Sequence, residues 1–471
     1  MTDARRPNIL HIMVDQMRFD MVGVNGSPIC RTPTLDRLAQ EGINYSEAYT
    51  PAGICSPARA SMVTGRYHHN NGIYNNCSQG ETIREELPVE EITYSELLNE
   101  AGYRLGHVGK WHIGRAHGPK SRGFHDVGAE SIADYRRQLG LPVKPPTPPD
   151  ALYANYPNDE FIISGTEQLP VEGNQMYYFT EEGMRLLREY QDQQPFYLRV
   201  DYNGPHHPYV VPEPWASLYD PDEIPPWPNF YDTFENKPQV HLRHKFHRGV
   251  QDFTWEDWQP AVAKYFGYIS YLDDLFAKLL QTLDDLGIRD ETLVIYNTDH
   301  GDFIGGHGQF NKGPLLYQEV YHIPLIMRWP QQIPAGASTA KFTSLIDIMP
   351  TILQAADLPV PDNLDGAALQ PLWHDPQDDS WREVLGCEFH GDEVGLFSSR
   401  LIRYQHYKYV YNPHAVDELY DLERDPHELE NRCDDPEYQD IRHEMQRRLM
   451  AWMNETQDPW RRWASKWLPL S

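Results

Sequence analysis

The chain is 471 residues long, with 41 basic against 69 acidic side chains and a formal charge of -28 at neutral pH. That length supports a sizeable core and more than one packing unit. So acidic a surface excludes nucleic acid and an anionic membrane face as partners.

In chain order, residues 9–14 form an apolar run that ends in Asp15-Gln16 and reads as a buried strand. Thr32 followed by Pro33, Leu35, Leu38 and Ala39 predicts a helix start with a threonine cap. The segment Cys55-Ser56-Pro57-Ala58-Arg59, continuing to Thr64-Gly65-Arg66, is the most informative stretch, because an ordinary thiol enzyme has no use for that surrounding pattern. Asn76 follows in a turn-rich stretch, where its amide serves either as a donor to a ligand or as a turn cap. A strand over 103–108 leads into Gly109-Lys110-Trp111-His112, and one over 196–201 leads to His206-His207. Residues 140–170 and 205–238 are proline-rich and poorly periodic, and are expected as long insertion loops. The aromatic ones suit a pocket wall. Apolar positions from Phe266 to Leu283 at helical spacing predict a helix over 261–286. It precedes a strand over 292–298 that ends in Asp299-His300-Gly301-Asp302.

His307 stands in a glycine loop, and is either a loop residue or a functional one; Lys312 lies just beyond it. After Trp373 the pattern changes to short strands over 383–389 and 400–411, then a helix over 436–454, which reads as a smaller α+β unit. The expected division is 1–375, 376–455 and a Trp-rich tail over 456–471. The tail's tryptophans are expected to dock on their own or a neighbouring subunit, since apolar surface is costly in water. Five cysteines, Cys30, Cys55, Cys77, Cys387 and Cys433, show no paired spacing, so no disulfide framework is expected. No run reaches membrane-spanning length. The N-terminus enters the first strand without a secretory leader pattern, so the expected location is the cytoplasm, although a trimmed leader would look the same.

Several apolar strands end in potential ligands. In open α/β sheets sites form beyond the carboxyl ends of strands, so Asp15 and Asp299 are expected to converge there.

The Cys55 motif, the Gly109–Gly114 block, the Asp299–Asp302 block with Lys312, and the run from Tyr420 to Pro426 together resemble the type I, formylglycine-dependent sulfatases of the alkaline phosphatase superfamily. The resemblance spans nearly the whole chain. It implies an α/β fold with an alkaline-phosphatase-like mixed central sheet sandwiched by helices and a smaller C-terminal α+β domain.

It also implies that a formylglycine-generating enzyme oxidises Cys55 to 3-oxoalanine. One divalent cation, calcium first with manganese or magnesium as alternatives, would be held by Asp15, Asp299, His300, position 55 and Gln16. Many family members carry an aspartate where this chain has Gln16. An amide oxygen can ligate a hard cation but brings no charge. Arg59 would hold the anionic nucleophile, and Lys110 and Lys312 would bind sulfate oxygens. His112 would take the proton that drives sulfate release. His206, favoured over His207 by its Pro-His-x-Pro setting, would assist the leaving oxygen.

One hydroxyl of the aldehyde hydrate would attack sulfur. The other would lose its proton and expel sulfate from the covalent sulfo-enzyme as the aldehyde re-forms. The implied substrate is an alkyl, aryl or sugar sulfate ester, with small esters favoured by the acidic surface. Two other functions are carried alongside: hydrolysis of phosphonate monoesters or phosphodiesters with the same nucleophile, and a noncatalytic binding protein. A homo-oligomer built through the C-terminal tail is a further expectation.

Overall fold

The computed structural model describes residues 6–468, apart from 81, 157, 158, 193, 194, 393, 394 and 414. The leader expectation at residues 1–5 and the end of the tail at 469–471 fall outside these described residues.

The strand Asn8–Asp15 is buried along its whole length, and its side chains alternate between two cores. Leu10, Ile12 and Val14 face one cluster with the long helix Trp255–Asp285, while Ile9 and Met13 face another with the helices Cys55–Thr64 and Ile348–Ala355. A strand covered on both faces has no reason to alternate apolar with polar, which is why it reads as a continuous apolar run. Its neighbours are Thr292–Thr298 on one side and Phe196–Pro205 on the other, both parallel to it. Arg104–Gly109 and then Asp126–Gly128 continue the parallel sheet. On the other side Leu325–Arg328 runs antiparallel, followed by Ile43–Tyr45 and Ala337–Thr339. The result is an eight-stranded mixed sheet covered by helices, as expected.

Register makes the site. Val14 pairs with Thr298, Met13 with Asp201, and Gly109 with Asp201, so Asp15, Asp299, Lys110 and His206 all leave the sheet at the same edge.

The helix expected from Thr32 is present as Pro33–Gln40, but Thr32 does not cap it. Its hydroxyl donates to Asp36 and accepts from Gly23 N–H. The first-turn donors of Thr34 and Leu35 go instead to the Asp273 carboxylate, at 2.8 and 2.9 Å. Asp273 lies in the middle of the long helix, so the cap comes from 239 and 238 positions away in sequence and is invisible to local pattern. The long helix also starts earlier than expected, at a Thr254 capping box with Asp257.

The loop expected over 140–170 contains two antiparallel strands, Leu152–Tyr156 and Asp159–Thr166, joined in a small sheet by Tyr209–Val211. Side-chain packing on neighbouring segments overrides the proline-rich composition there.

Toward the C-terminus, Val384–Asp392, Gly395–Tyr404, Tyr407–Tyr411 and Glu418–Asp421 form an antiparallel sheet. One face packs Cys387, Phe389 and Leu401 on Tyr49, Phe303 and Tyr317 of the main body, and the other carries the helix Gln439–Glu455. The last of these strands was not predicted from sequence. In the tail Trp460 covers the Arg400 guanidinium at 4.8 Å, and Ala464 and Leu468 are buried. Trp463 and Trp467 do not dock on their own chain, being 62% and 79% exposed. All five cysteines are free and buried.

Candidate active site

The Cys55 helix, Cys55–Thr64, is buried at every residue. Proline is tolerated as its third residue because the first four N–H groups of a helix have no intrahelical partner. One of those donors, Ser56 N–H, is accepted by Asn76 Oδ1 at 3.0 Å. Asn76 therefore caps this helix and lines the cavity above it. Arg59 lies one turn beyond Cys55 on the same face. Gly65 ends the helix at φ 65°, a left-handed cap that favours glycine.

Arg59 is fully buried and spends its guanidinium on three carboxylates: Nε donates to Asp299 Oδ2 at 2.7 Å, Nη2 to Asp15 Oδ2 at 3.1 Å and Nη1 to Asp201 Oδ2 at 3.4 Å. Nη1 also meets the Lys110 carbonyl. Arg59 thereby positions the carboxylates that surround Cys55. The groups beside the Cys55 thiol that favour its anion are Lys110, Lys312 and the His300 imidazole. Burial pushes that thiol up, but these three neighbours more than reverse the effect and hold it well below the ordinary thiol value.

With their second oxygens on Arg59, Asp15 and Asp299 turn the first ones toward common space. Asp15 Oδ1 and Asp299 Oδ1 each lie 3.9 Å from His300 Nε2, and Cys55 Sγ lies 3.2 Å from that nitrogen and 3.9 Å from Asp15 Oδ1. The His300 Nδ1 proton is taken by the Gly301 carbonyl at 2.8 Å, which leaves Nε2 free to ligate. Ligands 2.3–2.6 Å from one ion stand roughly 3.2–3.7 Å apart in regular geometry. The two carboxylates suit a hard divalent cation, and the ligand atoms of all four groups lie within 4.8 Å of one another, slightly wider than the spacing around a bound ion.

Gln16 departs from expectation. Its amide oxygen accepts from Lys312 Nζ at 2.7 Å and its amide nitrogen donates to Asp302 at 2.6 Å. It thus links Lys312 to a buried carboxylate, and is not aimed solely at the ion position. Lys110 Nζ donates to Asp15 Oδ2. His206 Nε2 meets Lys312 Nζ at 2.6 Å, so His206 is neutral at that nitrogen and carries its proton on Nδ1, toward the His207 carbonyl. Burial and then Lys312 hold this imidazole below its usual value. His112 faces Ser78, 2.9 Å away, across the same cavity. His207 stacks on His206 at 4.4 Å and lines the wall.

His112 and Asn311, which line the cavity, and Gln16, which bonds Lys312 beneath it, adopt φ of 60°, 69° and 68°, left-handed values uncommon for non-glycine residues. His307 lies elsewhere: it is buried against Asp232 and stacked on Tyr317 at 3.7 Å, which makes it a structural loop residue.

The cavity measures about 1080 Å³ and is walled by Phe161, Ile162, Phe310 and Arg248 above the Cys55, Lys110, His112, His206 and Lys312 floor. Sequence reasoning did not assign Asp201 or Asp302. Asp201 gathers Arg199, His107 and Arg59, and Asp302 gathers Gln16 and Tyr209. Their only sequence signal is position, at the end of a strand and within the Asp299 block.

A family model described as "Sulfatase" matches residues 7–358, three quarters of the chain. The chain belongs to the sulfatase family. It is an enzyme of the sulfuric ester hydrolase class, so the noncatalytic alternative is set aside. A second sulfatase-related model, "N-sulphoglucosamine sulphohydrolase, C-terminal", matches residues 305–455. The chain is 28% identical to the arylsulfatase of Clostridium perfringens, covering 92% of each chain. It is 24% identical to an N-acetylglucosamine-6-O-sulfatase of Bacteroides thetaiotaomicron, over 97% of this chain and 87% of that one. Among solved structures, the phosphonate monoester hydrolase of Agrobacterium radiobacter superimposes with a TM-score of 0.81 at 26% identity, covering 96% of both chains.

Proposed function

We propose that this sulfatase hydrolyses a small alkyl, aryl or sugar sulfate ester, with the side chain at position 55, oxidised to formylglycine, as the nucleophile. The observation that carries the reading is the placement of Cys55 Sγ between His300, Asp15, Lys110 and Lys312 on the floor of one cavity. A divalent cation held by Asp15, Asp299 and His300 beside position 55, calcium by preference, supplies charge neutralisation and lowers the pKa of the nucleophilic hydroxyl.

The protein's own groups do the rest. The Cys55 helix points its positive end at the site, where negative charge collects. Lys110 and Lys312 both lie beside position 55 on the cavity floor and can each take an oxygen of the sulfuryl group. Arg59 orients Asp15 and Asp299 through its two hydrogen bonds to them. The Lys312–His206 contact places a proton donor and an imidazole at 2.6 Å beside the cavity, where a departing alkoxide must be neutralised. His112, across from them, is positioned to take the proton whose loss releases sulfate. Aromatic and aliphatic walls at Phe161, Ile162 and Phe310 suit an uncharged leaving group.

A second reading, hydrolysis of phosphonate monoesters, is favoured by the close superposition on a phosphonate monoester hydrolase. Parallel turnover of 4-nitrophenyl sulfate and a phenyl phosphonate ester tests the two. Faster sulfate cleavage supports the sulfatase reading; cleavage of the phosphorus ester alone defeats it.

A further inference from the structure

Outside the active site, a second group of ligand-type side chains is buried where the main body meets the C-terminal sheet. His68 and His69 come from the four-residue helix His68–Asn71 that follows the Cys55 helix, and Glu388 and His390 come from the strand Val384–Asp392. Asp458 and Arg400 complete the group.

Most of these groups are accounted for. Arg400 holds Asp458 through two hydrogen bonds, at 2.8 and 3.2 Å. Both ring nitrogens of His69 are engaged, one with Glu388 at 2.7 Å and the other with the Thr456 carbonyl at 3.1 Å. His68 is the exception. Its side chain is 1% exposed, yet neither ring nitrogen has a hydrogen-bond partner. Buried polar atoms are rarely left in that condition.

The His68 ring is aimed at Glu388 and His390. Its Nδ1 stands 3.3 Å from Glu388 Oε1, outside hydrogen-bonding geometry, and Glu388 Oε2 stands 2.9 Å from His390 Nε2. Ligands 2.0–2.1 Å from a tetrahedral ion are about 3.3 Å apart, which is the His68–Glu388 separation, and one ligand atom from each of His68, Glu388 and His390 lies within 4.8 Å of the others. The His390 Nδ1 lies 3.1 Å from Ser398 Oγ, so its proton has an acceptor when Nε2 ligates.

We propose that His68, Glu388 and His390 form a second metal site, selective for zinc-like ions, that ties the segment after the Cys55 helix to the C-terminal sheet. Two imidazoles and one carboxylate are softer than the oxygen-rich set at Asp15 and Asp299, so the two sites sort different ions. A water completes the coordination. The groove lined by Ser398, Arg400 and Trp460 lies beside the cluster, where Ser398 meets the His390 ring. The role is structural, since none of the three residues lines the catalytic cavity.

The test uses the full chain after chelation. Saturating Ca2+ is added first to fill the hard site, and Co2+ is then titrated while visible absorption is followed. A saturable four-coordinate cobalt spectrum at about one equivalent is expected, displaced by Zn2+, retained in Asp299→Ala and lost in His390→Ala and His68→Ala. Zn2+ should also raise the melting temperature of wild type and not of the histidine variants. Wild type that shows no such spectrum under Ca2+, or a spectrum that survives both histidine substitutions, overturns the proposal. The wild-type measurement decides the matter even where a variant fails to fold.

Discussion

Replacing Arg59 with Met removes the one cation shared by three buried carboxylates. The cost can be bounded from the contacts that remain. Asp201 keeps Arg199 at 2.8 Å, and Asp15 keeps Lys110. Asp299 keeps two backbone donors, Gln16 N–H at 3.1 Å and His300 N–H at 3.0 Å, but loses its guanidinium. The loss is therefore close to that of one broken buried pair, not three, or about 3–5 kcal/mol. Against a typical total of about 5–15 kcal/mol this is large.

Urea unfolding in chelator, read as a lower midpoint at unchanged slope, measures it. Divalent cation should shrink the deficit, because the ion supplies part of the missing charge to Asp15 and Asp299. The acid limb gives a second check. In wild type, burial and Cys55 push Asp15 up, but Lys110, His206 and Arg59 outweigh them and hold it down. A depressed carboxyl contributes stability that is present above its unfolded value, 3.8, and is lost as pH falls through the folded one. That acid-side loss should be smaller in Arg59→Met. A variant that unfolds in chelator within about 1 kcal/mol of wild type would refute the reasoning.

Three further outcomes follow from the same geometry. Lys312→Met should cut kcat/KM about 10²–10³-fold, as loss of one preorganised donor to a developing anion does. It should also raise the His206 pKa, because it removes a cation beside it, so the imidazole-dependent limb of the pH profile moves to higher pH; an unmoved limb would separate the two residues. Asp299→Ala should lose bound Ca2+ together with turnover, and unchanged affinity in a calcium titration would remove Asp299 from the ligand set. At Glu418 burial pushes the carboxyl up, but His241 and Tyr420 more than compensate and hold it at about 2, so its stabilisation is present above 4.5 and is lost as pH falls toward 2. Glu418→Gln should flatten the acid-unfolding curve over that interval, and an identical curve would contradict the assignment.

The sheet was legible in the sequence because its central strands are covered on both faces and so run apolar without interruption. The convergence of Asp15 and Asp299 was legible for the same reason, since parallel neighbours end at one edge. What escaped depends on distant partners. Asp201 looks like any aspartate in a strand until Arg199, His107 and Arg59 are placed around it. Arg59 lies in the motif itself, yet its partners come from three strands, and the motif does not reveal that they consume the guanidinium. Gln16 reads as a weak metal ligand in isolation; only Lys312 and Asp302 show it as a link between them. The strands over 152–166 were hidden by flanking prolines, and the cap at Asp273 by 238 or 239 residues of chain.

The central claim is that the side chain at position 55 is matured and acts as the nucleophile. Mass analysis of the peptide containing Cys55, made on the same preparation used for turnover, tests it most directly. Conversion of the thiol to the aldehyde should lower the peptide mass by roughly eighteen units, with activity proportional to the converted fraction across preparations and absent from Cys55→Ala. Full turnover from protein whose Cys55 is entirely unmodified, or from the alanine variant, would contradict it.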